Sequence, residues 1–364
     1  MKNKTIWLVL GVVVVAIVAI VAVQQTRQPK EEKVIKIGAI LPLTGAAAEF
    51  GKYNIETTNL VIEEFTKKTG IQVKLYVEDS KSSPKDGANA YRALMLRDPE
   101  IQIISSELSS VCMSLVPLTE KQKQLLMAIA ATPKLNEYSR VLRIYPRADN
   151  LAEAFHKAIL KILSSHNSQV VIFYIDDEFG RSVSEQTRPR LSQQGYNVLT
   201  EAFSKNTDIR SIVAKYRGSN VYIVVGYGST MGLVIREIRR MSSTSPIIAS
   251  PEMNFNDVLS LLTLPDENLY YIDIAPPSEE IDRLFHTQVS RSPNLVDLLV
   301  FDGLNIVLQA AEKILREKKS FTADDLVARI KESEFTFYGR SLSVDQAGNI
   351  QYKLLLRKVD TFRR

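Results

Sequence analysis

The segment "VIKIGAILPLTGAAAEFGKYN" (residues 34–54) joins an apolar run to a glycine-containing loop and the start of an amphipathic segment. This order is typical of a strand that runs into a helix. In open α/β sheets, loops of this kind lie at the carboxyl ends of the strands, where ligands bind. The segment therefore predicts an α/β fold and raises the question of which ligand its loop serves.

A nucleotide-binding P-loop is one candidate. The P-loop pattern has four residues between its glycines and a serine or threonine after its lysine, whose hydroxyl binds magnesium. Here five residues separate Gly45 from Gly51, and Tyr53 follows Lys52. Neither the spacing nor the hydroxyl fits, so an ATP site is not expected.

Strand-like apolar runs alternate with amphipathic segments along the whole chain, and the alternation restarts near residues 143–150. Several runs are continuously apolar, as in strands buried on both faces of a parallel sheet. The predicted strands are residues 35–41, 71–79, 101–105, 125–130, 170–176, 197–203, 221–226, 246–250 and 269–275. The predicted helices are residues 53–68, ended by Gly70, residues 151–163, capped by "DN" at 149–150, and residues 279–290, 296–317 and about 322–332. The pattern predicts two doubly wound parallel sheets, and residues 340–359 are expected to form two strands joined by a turn at Gly348-Asn349.

Composition excludes several classes of protein. The net charge is +5, but no dense Lys/Arg tract is interleaved with aromatic residues, so nucleic acid is not an expected partner. Cys112 is the only cysteine, so no intrachain disulfide can form. A chain of 364 residues that is 45% apolar can bury a large core, in two lobes or domains.

The N-terminus carries a basic leader and then an uncharged apolar run at residues 6–23. This run is long for a signal peptide, and no clear cleavage site follows it. It favours an uncleaved transmembrane anchor over a cleaved signal, followed by a polar tether. The basic leader places residues from about 30 onward outside the cytoplasm.

Signatures of enzymes are weak. Gly226, Gly228 and Gly232, with Glu252 further on, imitate a dinucleotide fingerprint, but the spacing is G-x-G-x-x-x-G. The chain's histidines, which are His156, His166 and His286, show no zinc-binding spacing. We expect no metal, no cofactor and no catalytic residues.

Three loops that follow predicted strands carry polar side chains suited to an amino acid. Ser109 or Ser110 can cap a helix after residues 101–105, Thr132 follows residues 125–130, and Glu252 follows residues 246–250. Hydroxyls and free N–H groups at a helix start suit a carboxylate, and a glutamate suits an ammonium. Because all three loops lie at strand carboxyl ends, we expect them to meet at one site.

The chain resembles a family of binding proteins. The motifs "IKIGAILPLTGAAAEFGKYN", "VEDSKSSPKDGANAYRALM", "ELSSVCMSLVPL", "YIDDEFGRS", "SPEMNF" and "VFDGLNIVLQAAEKI" occur in that order. Together they are similar to the leucine/isoleucine/valine-type substrate-binding proteins of bacterial ABC importers. The resemblance extends over residues 34–357, nearly all of the chain after the tether.

The resemblance implies a type I periplasmic-binding fold, in which two doubly wound parallel-sheet lobes are joined by three crossovers and close on a ligand. It implies a leader, anchor or signal and tether at residues 1–33. Lobe 1 would comprise residues 34–146 and 276–340, and lobe 2 residues 147–275 and 341–364. The crossovers are expected near residues 145–149, 273–277 and 338–343.

The resemblance also implies roles for site residues. Ser110 and Thr132 would hold the ligand's α-carboxylate, and the Ala131 carbonyl and Glu252 its α-amino group. Phe50, Phe179, Tyr227 and Phe301 would line the region of the ligand's side chain. Two departures concern that region: Phe179 stands where many members carry tyrosine, and Gly228 where an aromatic residue often sits, which predicts a larger pocket.

The expected function is that of an extracytoplasmic binding protein for a small amino acid, of the branched-chain type or a relative. It would deliver this ligand to the permease of an ABC importer, as a monomeric exported domain without catalytic activity. Two alternatives stay open at this point. One is a ligand-sensing receptor subunit on the same fold, and the other is a dinucleotide-dependent oxidoreductase.

The anchor prediction can be tested on the native protein. We expect residues 6–23 to be retained, because the run is uncharged and lacks a cleavage site. Mass spectrometry of the native N-terminus measures this directly. A mature chain that begins between residues 22 and 30 would show that the run is a cleaved signal peptide.

Overall fold

The apolar run at the start of the quoted segment forms the buried strand β1 (Val34–Leu41), and the helix α1 (Ala48–Thr69) follows it. The computed structural model describes residues 34–163, 168–242, 244–263, 266–318 and 320–359. The predicted anchor at residues 6–23 lies outside them. Within these described ranges, no helix is both long and apolar enough to cross a membrane.

The first sheet is wholly parallel and has the order β2-β1-β3-β4-β5. Its further strands are β2 (Gln72–Asp79), β3 (Ile103–Glu107), β4 (Leu125–Ile129) and β5 (Val141–Arg143). Its further connecting helices are α2 (Pro84–Arg97) and α3 (Ser109–Lys121). Strands β3 and β4 are buried along their whole length, which explains why their sequences lack an alternating pattern.

The second sheet has the order β13-β10-β9-β8-β6-β7, and only its edge strand β13 is antiparallel. Its strands are β6 (Gln169–Ile175), β7 (Asn197–Phe203), β8 (Val221–Val225), β9 (Ile247–Ala249), β10 (Leu269–Ile274) and β13 (Leu354–Lys358). Its helices are α4 (Ala148–Ile162), α5 (Glu178–Ser192), α6 (Ile209–Ala214), α7 (Gly228–Met241) and α8 (Asn256–Leu259). Both sheets thus confirm the expected α/β class.

The chain passes between the two sheets three times. It leaves the first sheet after β5, returns after β10, and leaves again after a small hairpin. The returning part consists of α9 (Glu279–Gln288), α10 (Leu295–Glu317), α11 (Ala323–Lys331) and the hairpin strands β11 (Phe335–Phe337) and β12 (Arg340–Leu342). Helix α10 packs along α1, on the first sheet's side. The lobe boundaries proposed from the sequence stay a prediction.

Two local predictions were wrong. Residues 340–359 do not form a single hairpin, because β12 pairs with β11 and β13 pairs with β10. The residue that caps α4 is Arg147, and Asp149 lies inside the first turn, where its carboxylate accepts hydrogen bonds from the Arg147 guanidinium. The acidic side chain therefore pairs with a neighbouring cation and does not cap the helix.

The packing around Gly51 explains why a glycine stands at this P-loop-like position. It is buried on the inner side of α1, and a Cβ there would lie 2.5 Å from the Pro42 carbonyl oxygen. The glycine therefore lets the helix approach the loop that leaves β1. Lys52 beside it is exposed.

We predict that Gly51→Ala destabilises the protein by about 1–3 kcal/mol, the usual cost of overpacking. Helix propensity alone predicts a gain of up to about 1 kcal/mol, so the sign of the change tests the close approach. Urea unfolding measures it. Lys52→Ala is the matched control and should stay within about 0.5 kcal/mol of the wild type. A Gly51→Ala variant of unchanged or higher stability would contradict the close packing.

Candidate ligand-binding cleft

A cavity lies between the carboxyl ends of strands from the two sheets. It comprises about 330 Å³, including the part that is open to solvent. Its lining residues are Phe50, Glu107, Leu108, Ser109, Ile129, Ala130, Ala131, Tyr145, Phe179, Tyr227 and Glu252. Most of the site residues predicted from the sequence are therefore brought together here.

One side of the cavity is formed by the beginning of α3. Ser109 is the first residue of this helix, and Leu108 before it adopts a left-handed φ of 69°. The first N–H groups of a helix have no partner within the helix, and they carry its positive dipole end. The Ser109 hydroxyl oxygen accepts the Ala131 N–H at 3.1 Å, which leaves its hydrogen available to donate. This side of the cavity is suited to a carboxylate.

The Ala131 carbonyl is not available for an ammonium, contrary to what the resemblance implies. It accepts a hydrogen bond from Arg143 Nη1 at 2.9 Å and another from the Ala148 N–H at 2.9 Å. A carbonyl oxygen has two lone pairs, and both are used here. Arg143 is itself buried, and burial lowers its pKa to about 10. Ala131 thus orients the Ser109 hydroxyl through its N–H, and its carbonyl is bound within the protein by Arg143 and Ala148.

Glu252 lies on the opposite lobe, in a short turn after β9, and is only 5% exposed. The Tyr145 hydroxyl donates a 2.5 Å hydrogen bond to Oε1. Oε2 is buried and has no partner among the described residues. Removal from water raises the pKa of Glu252 to about 7, although the neighbouring Tyr145 and Ser250 hydroxyls oppose this shift. A ligand cation at Oε2 would satisfy the unpaired oxygen and favour the ionised form.

Aromatic rings close the rest of the cavity. Phe50 packs against Tyr227 and Phe255 with ring centroids 5.9 and 4.7 Å apart, and Phe179 meets Tyr145 edge-on at 6.1 Å. Tyr227 is oriented by a 2.7 Å hydrogen bond from its hydroxyl to Asp177 Oδ2. These contacts join residues from the two sides of the cleft.

The sequence predicted that Gly228 enlarges the pocket, but the structure shows no such enlargement. Its φ is 68°, and a Cβ there would lie 2.6 Å from the Ala46 carbonyl oxygen in the loop before α1. Backbone from the other side of the cleft therefore occupies the space that a side chain at this position would need. Glycine at this position allows the two halves to come into contact.

Three predicted residues are not among those that line the cavity. Ser110 is half-buried on the first turn of α3. The buried Thr132 hydroxyl donates to Glu178 Oε1 at 2.7 Å, and Lys134 pairs with the same carboxylate. Thr132 thus joins the two sides of the cleft through the first turn of α5.

Phe301 requires a correction. It lies on α10 and packs against Phe285, Phe337 and Tyr338, none of which lines the cavity. Almost every residue of the first half of α10 is buried, so an apolar residue there fills the core of the lobe. Phe301 is therefore not part of the candidate site.

Five lining residues were not identified from the sequence, and two of them, Glu107 and Tyr145, have polar side chains. Glu107 is the acidic last residue of an otherwise uncharged buried strand, and this was a usable signal. Tyr145 lies in the first segment that passes between the sheets. Its partner Glu252 is 107 residues away, so no local pattern could reveal the contact.

A second polar contact joins the two sides at the outer part of the cleft. The Glu49 carboxylate accepts the N–H groups of Asn256 and Asp257 at 3.2 and 3.0 Å, at the start of α8. The Asp257 side chain is half-buried beside this carboxylate. Burial, followed by the negative charge of Glu49, raises the pKa of Asp257 to about 7. Protonation of Asp257 therefore favours the contact between Glu49 and the start of α8, which we call the closed contact.

Two parallel-sheet lobes that enclose a cavity with polar groups at opposite ends are typical of a two-lobed ligand-binding protein. The sequence profile described as periplasmic binding protein matches residues 34–353, and the chain belongs to this family. It is 25% identical over 224 residues to a Leu/Ile/Val-binding protein, BraC3, of Rhizobium johnstonii. That match covers 59% of this chain and 60% of the relative, which is less than two thirds of the relative's length.

Solved structures have the same fold. A leucine-binding protein, LivK, of Thermotoga maritima has a TM-score of 0.79 at 19% identity, over 90% of this chain and 96% of that one. The Streptococcus pneumoniae branched-chain amino acid binding protein LivJ, in complex with isoleucine, has a TM-score of 0.78 at 18% identity, over 90% and 97%. A Rhodopseudomonas palustris solute-binding protein of an ABC transporter, with 3,4-dihydroxybenzoic acid, also has a TM-score of 0.78, at 17% identity, over 90% and 94%.

We predict that the ligand-free protein closes more readily as the pH falls from 8 to 5. In the closed contact the pKa of Asp257 is about 7, whereas a solvated aspartate titrates near 4. Protonation between these values therefore stabilises closure, and the buried Glu252 and Glu107 titrate in the same direction. Small-angle scattering should give a smaller radius of gyration at pH 5.

The variant Asp257→Asn should reduce this pH dependence. Glu267→Gln is the control, because Glu267 is exposed and precedes β10, at the end of the sheet that faces away from the cleft. An Asp257→Asn variant with the full pH dependence of the wild type would show that the Glu49 contact does not govern closure.

Proposed function

We propose that this protein captures a small amino acid, of the branched-chain type or a relative in size, between its two lobes and passes it to an ABC importer. One observation carries the proposal. One cavity has a helix N-terminus with Ser109 on one side and, on the other, a buried glutamate with an oxygen that no described residue bonds. An α-amino acid carries a carboxylate and an ammonium, which complement these two groups.

In this proposal the first N–H groups of α3 and the Ser109 hydroxyl bind the α-carboxylate. Glu252 binds the α-ammonium through Oε2, while Tyr145 holds Oε1. Phe50, Phe179 and Tyr227 surround the ligand's side chain. A closed cleft excludes water, and this strengthens both charge contacts.

The lobes act as two bodies on a hinge. We propose the boundaries expected from the sequence, with residues 34–146 and 276–340 on one side and residues 147–275 and 341–364 on the other. The three passages of the chain between the sheets would then form the hinge. The Thr132–Glu178 bond and the contact from Glu49 to α8 would form when the lobes close.

The relatives support an amino acid as the ligand class. The R. johnstonii protein is named for leucine, isoleucine and valine, and the S. pneumoniae structure holds isoleucine. The R. palustris structure holds 3,4-dihydroxybenzoic acid, which has no amino group. The buried Glu252 would have no cation to bind in such a ligand, and for this reason we favour an amino acid here.

The proposal includes the setting of the protein. It would act outside the cytoplasm as a monomeric domain, held at the membrane by residues 6–23, and would bind the permease of its importer. It would catalyse no reaction and need no cofactor. These features rest on the N-terminal sequence and on the family.

We predict that Glu252→Gln lowers the affinity for the ligand about 10- to 150-fold. The substitution keeps size and hydrogen bonding but removes the charge, and a charge-assisted hydrogen bond contributes roughly 1.5–3 kcal/mol. A thermal-shift screen of amino acids first identifies a ligand, and calorimetry at pH 8 then compares the variants. Ser109→Ala should also weaken binding, through the carboxylate.

The control for charge is Glu267→Gln, on the exposed loop before β10, which should bind as the wild type does. Equal affinities of the wild type and Glu252→Gln would contradict the amino-acid site. The fold and the family assignment would not be affected by that result.

A further inference from the structure

One acidic side chain of the cavity is not used by the head-group contacts proposed above. Glu107 ends β3, is 1% exposed and lines the cavity. Its Oε1 accepts a 2.5 Å hydrogen bond from Asn54 Nδ2. Its Oε2 is buried and has no hydrogen-bond partner in the part of the chain that the structure describes.

Glu107 lies on the α1 side of the cavity. Its partner Asn54 follows Phe50 by one turn of α1, so the two side chains share a face of that helix. Phe50 belongs to the aromatic wall that surrounds the proposed side-chain region. Glu107 therefore lies toward the region proposed for the ligand's side chain, whereas Glu252 is fixed by Tyr145 on the other lobe.

A purely hydrocarbon side chain would leave Glu107 in an unfavourable state. No lysine or arginine among the described residues offsets its charge, and burial raises its pKa to about 7. A buried polar atom without a partner costs free energy, and an apolar ligand would seal that atom from water. A donor on the ligand would remove this cost.

We propose that the ligand's side chain carries a hydrogen-bond donor, such as a hydroxyl or an amide NH₂, which Glu107 Oε2 accepts. This inference rests on the proposed function, because it takes the head group to be held by Ser109 and Glu252. Within the proposed ligand class it favours the relatives in size over the branched-chain amino acids, and it makes Glu107 the residue that selects against the plain hydrocarbon side chains of valine and leucine.

Pairs of amino acids with matched shape test the inference. Threonine has a hydroxyl where valine has a methyl group, and asparagine has a carboxamide where leucine has an isopropyl group. Calorimetry on the wild type should give threonine and asparagine at least about tenfold higher affinity than their apolar partners, because sites built for a hydrogen bond reject analogues that lack it. Equal or tighter binding of valine and leucine would overturn the inference.

Substitutions of Glu107 give a second readout. Glu107→Met replaces the acid with an apolar side chain of similar length and should remove or reverse the preference within each pair. Glu107→Gln retains an acceptor and should keep the preference. If Glu107→Met does not fold, the wild-type pairs and Glu107→Gln still decide the outcome.

Glu252→Gln separates this inference from the proposed function. It should weaken both members of a pair by a similar factor and leave the preference unchanged. If valine and leucine bind best and Glu252→Gln weakens them, the amino-acid site stands and the role of Glu107 is wrong. If none of the twenty common amino acids shifts the melting temperature, both proposals are wrong.

Discussion

The cleft depends on a carboxylate that has been removed from water and that no cation among the described residues compensates. Glu252 is held by Tyr145 at one oxygen, and its other oxygen has no hydrogen-bond partner in the described part of the chain. Burial of this kind costs free energy unless a partner is supplied, and it raises the pKa of the group toward neutrality. In the proposed complex the ligand's ammonium is that partner, so the cost of folding the site is recovered when the ligand binds.

The contact between the two halves determines whether this arrangement exists. Glu252 and Tyr227 belong to one half, and Ser109, Phe50 and Ala131 to the other. They share a cavity because the loop before α1 approaches Gly228 and because Thr132 reaches Glu178. The glycines that imitate nucleotide-binding motifs in the sequence serve this packing: Gly51 admits the Pro42 carbonyl, and Gly228 admits that of Ala46.

Much of the fold could be predicted from the sequence, because strands buried on both faces of a parallel sheet leave continuous apolar runs. Residues that follow such strands, including Ser109 and Glu252, could be placed near one another by the same rule. The wrong predictions concern residues whose orientation or hydrogen-bond partners are determined by tertiary contacts. The first half of α10 is buried almost throughout, so its pattern does not show which way Phe301 faces, and the Ala131 carbonyl is occupied by Arg143 and Ala148, which no spacing reveals.

The central claim is that one amino acid spans the cavity from α3 to Glu252. A crystal structure of residues 34–364 with the amino acid selected by the thermal-shift screen tests it most directly. The account predicts the ammonium nitrogen within about 2.7–3.2 Å of a Glu252 oxygen and the carboxylate at the first N–H groups of α3. A ligand bound outside this cavity, or bound with its carboxylate toward Glu252, would contradict it.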